Sequence, residues 1–93
     1  MLKLTKSKRF KKDLKRISKN PDHKKAIAIL ANVINLLQNR IDLPERYQVH
    51  RLRGQYSDYL ECHIRPDLLL IYSIVDDSIL ELVRLGSHSE LFR

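Results

Sequence analysis

The run Leu68-Leu69-Leu70-Ile71-Tyr72-Ser73-Ile74-Val75 constrains this chain more than any other stretch. It shows neither the 3.6-residue period of a surface helix nor the alternation of a half-exposed strand. It is also far shorter than the ~20 apolar residues that span a bilayer. Bounded by Arg65-Pro66-Asp67 and Asp76-Asp77-Ser78, both turn-forming, it reads as a central strand. The rest of the chain must supply its neighbours.

The neighbouring segments have strand character. Ile79 to Leu85 should return antiparallel after a hairpin at Asp76-Asp77-Ser78, and Gly86 should break it, leaving Ser87 to Phe92 as a tail. Ser57 to Ile64 alternates: Leu60, Cys62 and Ile64 fall on one face, Tyr59, Glu61 and His63 on the other. The first set should meet helices, which points His63 to the open face of the sheet. Val49 to Leu52, closed by Gly54, and Leu2 to Leu4 are candidate short strands.

Between the N-terminal strand and Pro44 the period changes to that of helices. Ser7 is a plausible N-cap for a helix with the narrow apolar stripe Phe10, Leu14, Ile17. Asn20-Pro21-Asp22 ends it, and Asp22 is the expected N-cap of a second helix running to about Asn39. There Ala26/Ile27, Ile29/Leu30, Val33/Ile34 and Leu36/Leu37 make the broadest apolar face in the chain. The expected architecture is α+β: two N-terminal helices packed on one face of a mainly antiparallel sheet of about four strands. The 93 residues suit one domain, 1–93.

The net charge of +7 is unevenly distributed. Residues 1–25 hold eleven Lys and Arg against Asp13 and Asp22, a balance of +9, whereas residues 26–93 hold seven against nine acidic residues, a balance of −2. A basic excess confined to one end, including Lys8, Lys11, Lys12 and Lys15, attracts polyanions, most often nucleic acid. The same pattern also describes a solvated helix face without a partner. The single cysteine, Cys62, cannot form an internal disulfide. With no apolar leader and no spanning segment, a reducing cytoplasm is the expected setting, with no membrane partner.

Three of the four histidines, His50, His63 and His88, sit on or just after predicted strands, in the same elements as Asp67 and Arg84; His23 reads as a surface residue. Cleavage of an RNA strand needs a base for the 2′-hydroxyl, an acid for the leaving 5′-oxygen and a cation for the phosphate. Imidazoles and Arg supply all three without a metal or nucleotide cofactor. His50, His63, Asp67 and His88 are also legitimate zinc or iron ligands, although no compact metal signature is present. Taken singly, each group has an ordinary role: Asp67 as a turn residue, Arg84 as a partner for Glu81 or Asp67, Cys62 as core packing.

Three segments taken together are more specific: His50-Arg51-Leu52-Arg53-Gly54, then Glu61-Cys62-His63-Ile64-Arg65-Pro66-Asp67 running into the apolar strand, then Arg84-Leu85-Gly86-Ser87-His88-Ser89-Glu90-Leu91-Phe92. In this order the C-terminal half resembles the YafQ-type branch of the RelE/ParE toxin superfamily; the N-terminal half agrees in layout and charge. The resemblance implies an endoribonuclease toxin of a type II toxin–antitoxin system that cuts mRNA in the ribosomal A site. It implies a cognate antitoxin as partner and no cofactor. It assigns proton transfer to His88 and Asp67, phosphate holding to His50, His63 and Arg84, and base positioning to Phe92. Leu68 stands where some relatives carry an aromatic beside Asp67, which implies weaker stacking on a base; Leu60 stands where many carry an arginine. Two other readings stay open at this level: a non-catalytic ParE-like toxin acting on gyrase, and a basic DNA-binding module working through residues 3–25.

Overall fold

The computed structural model describes residues 1–92. Five strands lie in one sheet: β1 (Lys3–Lys6), β2 (His50–Arg51), β3 (Leu60–Arg65), β4 (Leu68–Val75) and β5 (Ile79–Gly86), in the order β1-β5-β4-β3-β2. Helices α1 (Lys8–Ser18) and α2 (Lys24–Gln38) follow β1, and a single-turn helix α3 (His88–Leu91) closes the described chain. The sheet therefore has five strands rather than the expected four. The N-terminal segment pairs parallel with β5 (Leu4 opposite Leu80), and β2 adds a two-residue edge with His50 opposite Glu61.

The apolar run is the middle strand, antiparallel to β3 on one side and β5 on the other. The main core lies between the sheet and α1 and α2. Phe10, Ile17, Ala26, Leu30 and Val33 meet Cys62, Ile64, Leu68, Leu70, Tyr72, Leu80, Leu82 and Leu85 there. At ~25 cal/mol per Å² of apolar surface, each fully buried Leu or Phe contributes roughly 1.5–3 kcal/mol relative to exposure. The other face is not open. Leu69, Ile71 and Leu91 form a second, smaller cluster flanked by Leu52, Tyr59 and Val83, so α3 covers the centre of the sheet face that carries His63.

Several local details differ from expectation. Asp22 does not cap α2; Asn20 accepts from the Asp22 backbone N–H at 2.9 Å, starting a 3₁₀ turn at Pro21–His23 before α2. Gly86 is the last residue of β5, so the strand stops where the sequence puts its end. A Cβ there would stand 3.0 Å from the Glu90 carboxylate and 3.2 Å from Leu91, so the absence of a side chain lets α3 fold back onto the strand. The hairpin turn holds Asp76 and Asp77 at φ +50° and +58°, the left-handed pair that matches strand twist in a two-residue turn. The Arg40 guanidinium is bound to the Asp77 carboxylate across it.

One edge of the sheet is finished by a helix. β1 pairs with β5 only as far as Leu82. Beyond it the β5 backbone would be left without partners, and α1 supplies them. Ser7 donates its hydroxyl to the Val83 carbonyl at 2.6 Å and caps α1 by accepting from Phe10 N–H at 2.9 Å. The Asp13 carboxylate accepts the Leu85 N–H at 3.0 Å.

Candidate active site

Strand parity builds the centre of the site. Glu61 and His63 are two residues apart on β3 and so share a face. Pairing of β2 with β3 sets His50 directly opposite Glu61. The Glu61 carboxylate is buried, and its Oε2 lies 2.9 Å from His50 Nε2 and 3.5 Å from His63 Nε2. A buried carboxylate needs such partners to offset its desolvation. His50 is itself held from behind: its Nδ1–H donates to the Gln48 carbonyl at 2.9 Å, and Gln48 takes a left-handed backbone (φ +47°) at the end of a 3₁₀ turn.

A line of rings extends from this pair. His50 and His63 have centroids 6.2 Å apart, His63 and His88 6.4 Å, and His88 and Phe92 5.6 Å; Phe92 meets Tyr56 edge-on at 6.0 Å. His88 and Phe92 reach this line because α3 is anchored by a capping box. Ser87 accepts from Glu90 N–H at 3.2 Å while Glu90 accepts from Ser87 N–H at 2.8 Å. Asp67, exposed on the β3–β4 turn, accepts from His88 N–H at 3.4 Å, a long contact that nonetheless ties that turn to the start of α3.

Arg84 lies on β5 opposite Ile71, beside a bulge where the register shifts. It does not pair with Glu81 or Asp67. Its Nε donates to Asp13 Oδ2 at 2.8 Å and its Nη2 to Oδ1 at 3.3 Å. That hydrogen bond raises the Arg84 pKa above its ordinary value and keeps the guanidinium charged. Arg84 also lines a cavity of about 300 Å³ with Lys8, Tyr56, Tyr59, Ile71 and Leu91.

Of the residues singled out in the sequence, His50, His63, His88 and Phe92 come together on one face, with Asp67 at its end and Arg84 and Lys8 at the neighbouring cavity. Lys11, Lys12 and Lys15 are exposed along α1 but do not line that cavity. Leu68 is a correction. It is 5% exposed within the main core, packed under the helices, and its side chain is not available to stack on a base. The metal-capable set is likewise not the one the sequence suggested: it is His50, Glu61 and His63, without Asp67 or His88. Glu61 and Asp13 were the residues missed. Both carried a signal, Glu61 by sharing His63's parity and Asp13 by standing on the Phe10/Leu14/Ile17 stripe of an otherwise basic helix.

The chain as a whole has relatives of known name and structure. The family model described as the bacterial toxin of a type II toxin–antitoxin system, YafQ, matches residues 2–93. A Haemophilus influenzae protein named as a YafQ toxin is 39% identical over 92 residues, covering 96% of this chain and 90% of that one. The Escherichia coli K12 protein named mRNA interferase toxin YafQ is 34% identical over 83 residues, covering 89% and 87%. The toxin in the E. coli DinJ–YafQ toxin–antitoxin complex superposes with a TM-score of 0.86 at 33% identity, over 99% of this chain and 98% of that one. A copper-bound mutant toxin from Helicobacter pylori does so with 0.88 at 43% identity, over 99% and 100%. The chain belongs to the YafQ family of type II toxin–antitoxin toxins.

Proposed function

We propose that this toxin acts as one domain, 1–93, and is an endoribonuclease that cleaves mRNA without a metal. The observation that carries this reading is the line of three imidazoles ending at Phe92 on one exposed edge of the sheet. His63 and His88, in edge-on contact at 6.4 Å, can both reach a single phosphate group laid over the pair. A proton-transfer group must come within about 2.6–3.2 Å of its oxygen.

In the proposed reaction the 2′-oxygen bonds to phosphorus as its proton passes to Asp67. The bond from phosphorus to the 5′-oxygen breaks as His88 gives that oxygen a proton. The products are a 2′,3′-cyclic phosphate and a 5′-hydroxyl. His50, His63 and the Arg84 guanidinium bind the phosphate as its charge rearranges, and Phe92, with Tyr56 behind it, stacks on the adjacent base. The exposed Lys8, Lys11, Lys12 and Lys15 bind RNA phosphates, which suits cleavage on the ribosome.

The partner in this reading is an antitoxin with an acidic contacting segment, as the +7 charge favours and as the E. coli relative's complex with DinJ suggests. The setting is the cytoplasm, where mRNA is found; among the described residues no helix is long and apolar enough to cross a membrane.

Incubation of the purified toxin with a synthetic RNA in EDTA tests the reading. Cyclic-phosphate ends should appear, and a 2′-O-methyl group at the cut position should block them. Cleavage that persists through the methylated position, or that requires added metal, would rule the mechanism out.

A further inference from the structure

The bulge in β5 builds a cavity beside the imidazole line. Leu82 and Leu85 both point into the main core, yet the two residues between them, Val83 and Arg84, line one cavity on the other face. Regular alternation would send those two side chains to opposite faces. Arg84 pairs with Ile71 and Leu82 with Tyr72, so Val83 is the extra residue, and the bulge turns both side chains the same way. An apolar wall and a cation thus stand side by side.

We infer that this cavity is a subsite for one nucleobase of the RNA strand, next to the base that Phe92 takes. The inference rests on the function proposed above. The cavity measures about 300 Å³, and Ile71, Val83 and Leu91 line it together with Tyr56 and Tyr59, whose ring centroids are 6.4 Å apart. Lys8, Arg9 and Arg84 add three positive charges, and among the described residues no carboxylate lines it. Small-molecule sites begin at about 300 Å³ and combine apolar and aromatic walls with a few polar groups. A nucleobase answers both features: its faces stack on aromatic rings, and its edge atoms accept hydrogen bonds from Arg and Lys. A phosphate alone would not need the apolar walls, and an apolar side chain of a protein partner would not need the three cations.

Position favours a base close to the cut. Asp13 occupies Nε and Nη2 of Arg84, which leaves Nη1 for the scissile phosphate. Because the same guanidinium lines the cavity, the base inside it belongs to a nucleotide flanking that phosphate. Tyr56 lines the cavity and meets Phe92 edge-on at 6.0 Å, so its ring is the partition between the two bases.

The test is NMR of the methyl-labelled full chain with a trinucleotide RNA made uncleavable by 2′-O-methylation. One base should give nuclear Overhauser contacts to the methyl groups of Ile71, Val83 and Leu91. Removing that base from the RNA should weaken binding to the wild type about tenfold or more. Val83→Phe fills the cavity from a half-buried position and keeps every cation; it should lose those contacts, and removal of the base should then cost nothing further. Tyr56→Ala, at an exposed position, gives the same comparison if Val83→Phe does not fold. RNA that binds along the histidines without contact to these methyls, or a cost of base removal that stays unchanged in the variants, would overturn the subsite and leave the cavity to a protein side chain. A chain that seats the base but cuts no RNA fails the proposed function and keeps the subsite; a chain that cuts RNA without seating it fails the subsite alone; no binding of the trinucleotide overturns the subsite as well.

Discussion

Asp13 and Arg84, 71 residues apart, are joined by two hydrogen bonds of 2.8 and 3.3 Å, and the same carboxylate closes the β5 edge at Leu85 N–H. One buried acid thus fixes α1 to the sheet and holds in place the cation expected to meet the phosphate. Asp13→Ala leaves a buried N–H and a largely buried guanidinium without their acceptor. It should destabilise the fold by about 2–4 kcal/mol, measured by urea denaturation. Asp13→Asn, which can still accept from Leu85, should cost less stability but lower cleavage by freeing Arg84.

Cys62 should be chemically silent in the native state. Burial, and then the Glu61 charge, push its thiol up to about 12. Iodoacetamide at pH 8 should leave it unmodified until the chain is unfolded, as mass spectrometry would show. Cys62→Ser, which sets a hydroxyl in the apolar core, should destabilise by roughly 1–3 kcal/mol.

How far the sequence reveals this molecule depends on which physical rule governs each residue. The middle strand is legible because an apolar run of that length has one comfortable place, and the Leu60/Cys62/Ile64 parity is legible because the strand period is two. The parallel β1–β5 pair is not, because nothing local to residues 3–6 specifies a partner 76 positions away. The His63 face reads as open in sequence because α3 is one turn long; its cover comes from Leu91 folding back over Gly86. Leu68 looks like a site residue by adjacency to Asp67, yet the register shift between His63 and Arg65 and the strand pleat turn it into the core. Asp13 and Glu61 look like ordinary surface acids until tertiary packing buries them.

The capping box should make α3 sensitive to acid. The Ser87 backbone N–H, then its hydroxyl and Arg16, hold the Glu90 carboxyl below its usual 4.5. A carboxyl depressed in the folded state contributes stability that is complete above the unfolded value and is lost as pH falls through the folded one. NMR should therefore show the Ser87 and Glu90 amides, the two capping-box donors, losing protection below about pH 4.5, with Glu90→Gln abolishing that pH dependence.

Phe92 is 36% exposed and touches only the rings of His88 and Tyr56 among the described aromatic contacts. Phe92→Ala should leave the melting temperature nearly unchanged and weaken cleavage, through lost base stacking, by roughly tenfold or more. Phe92→Tyr should retain most activity. Equal loss in both variants, with normal folding, would count against stacking.

The central claim is that the imidazole line cuts RNA, with His88 as the acid. The most direct measurement is sequencing of transcript 5′ ends from growing bacteria that express the wild type or His88→Ala at equal soluble levels. Wild type should arrest growth and create new 5′-hydroxyl ends within coding sequence, and His88→Ala should lower their yield by ~10²–10⁴-fold and restore growth. Full toxicity and an unchanged cut pattern in His88→Ala, or arrest by the wild type with no new ends, would contradict it.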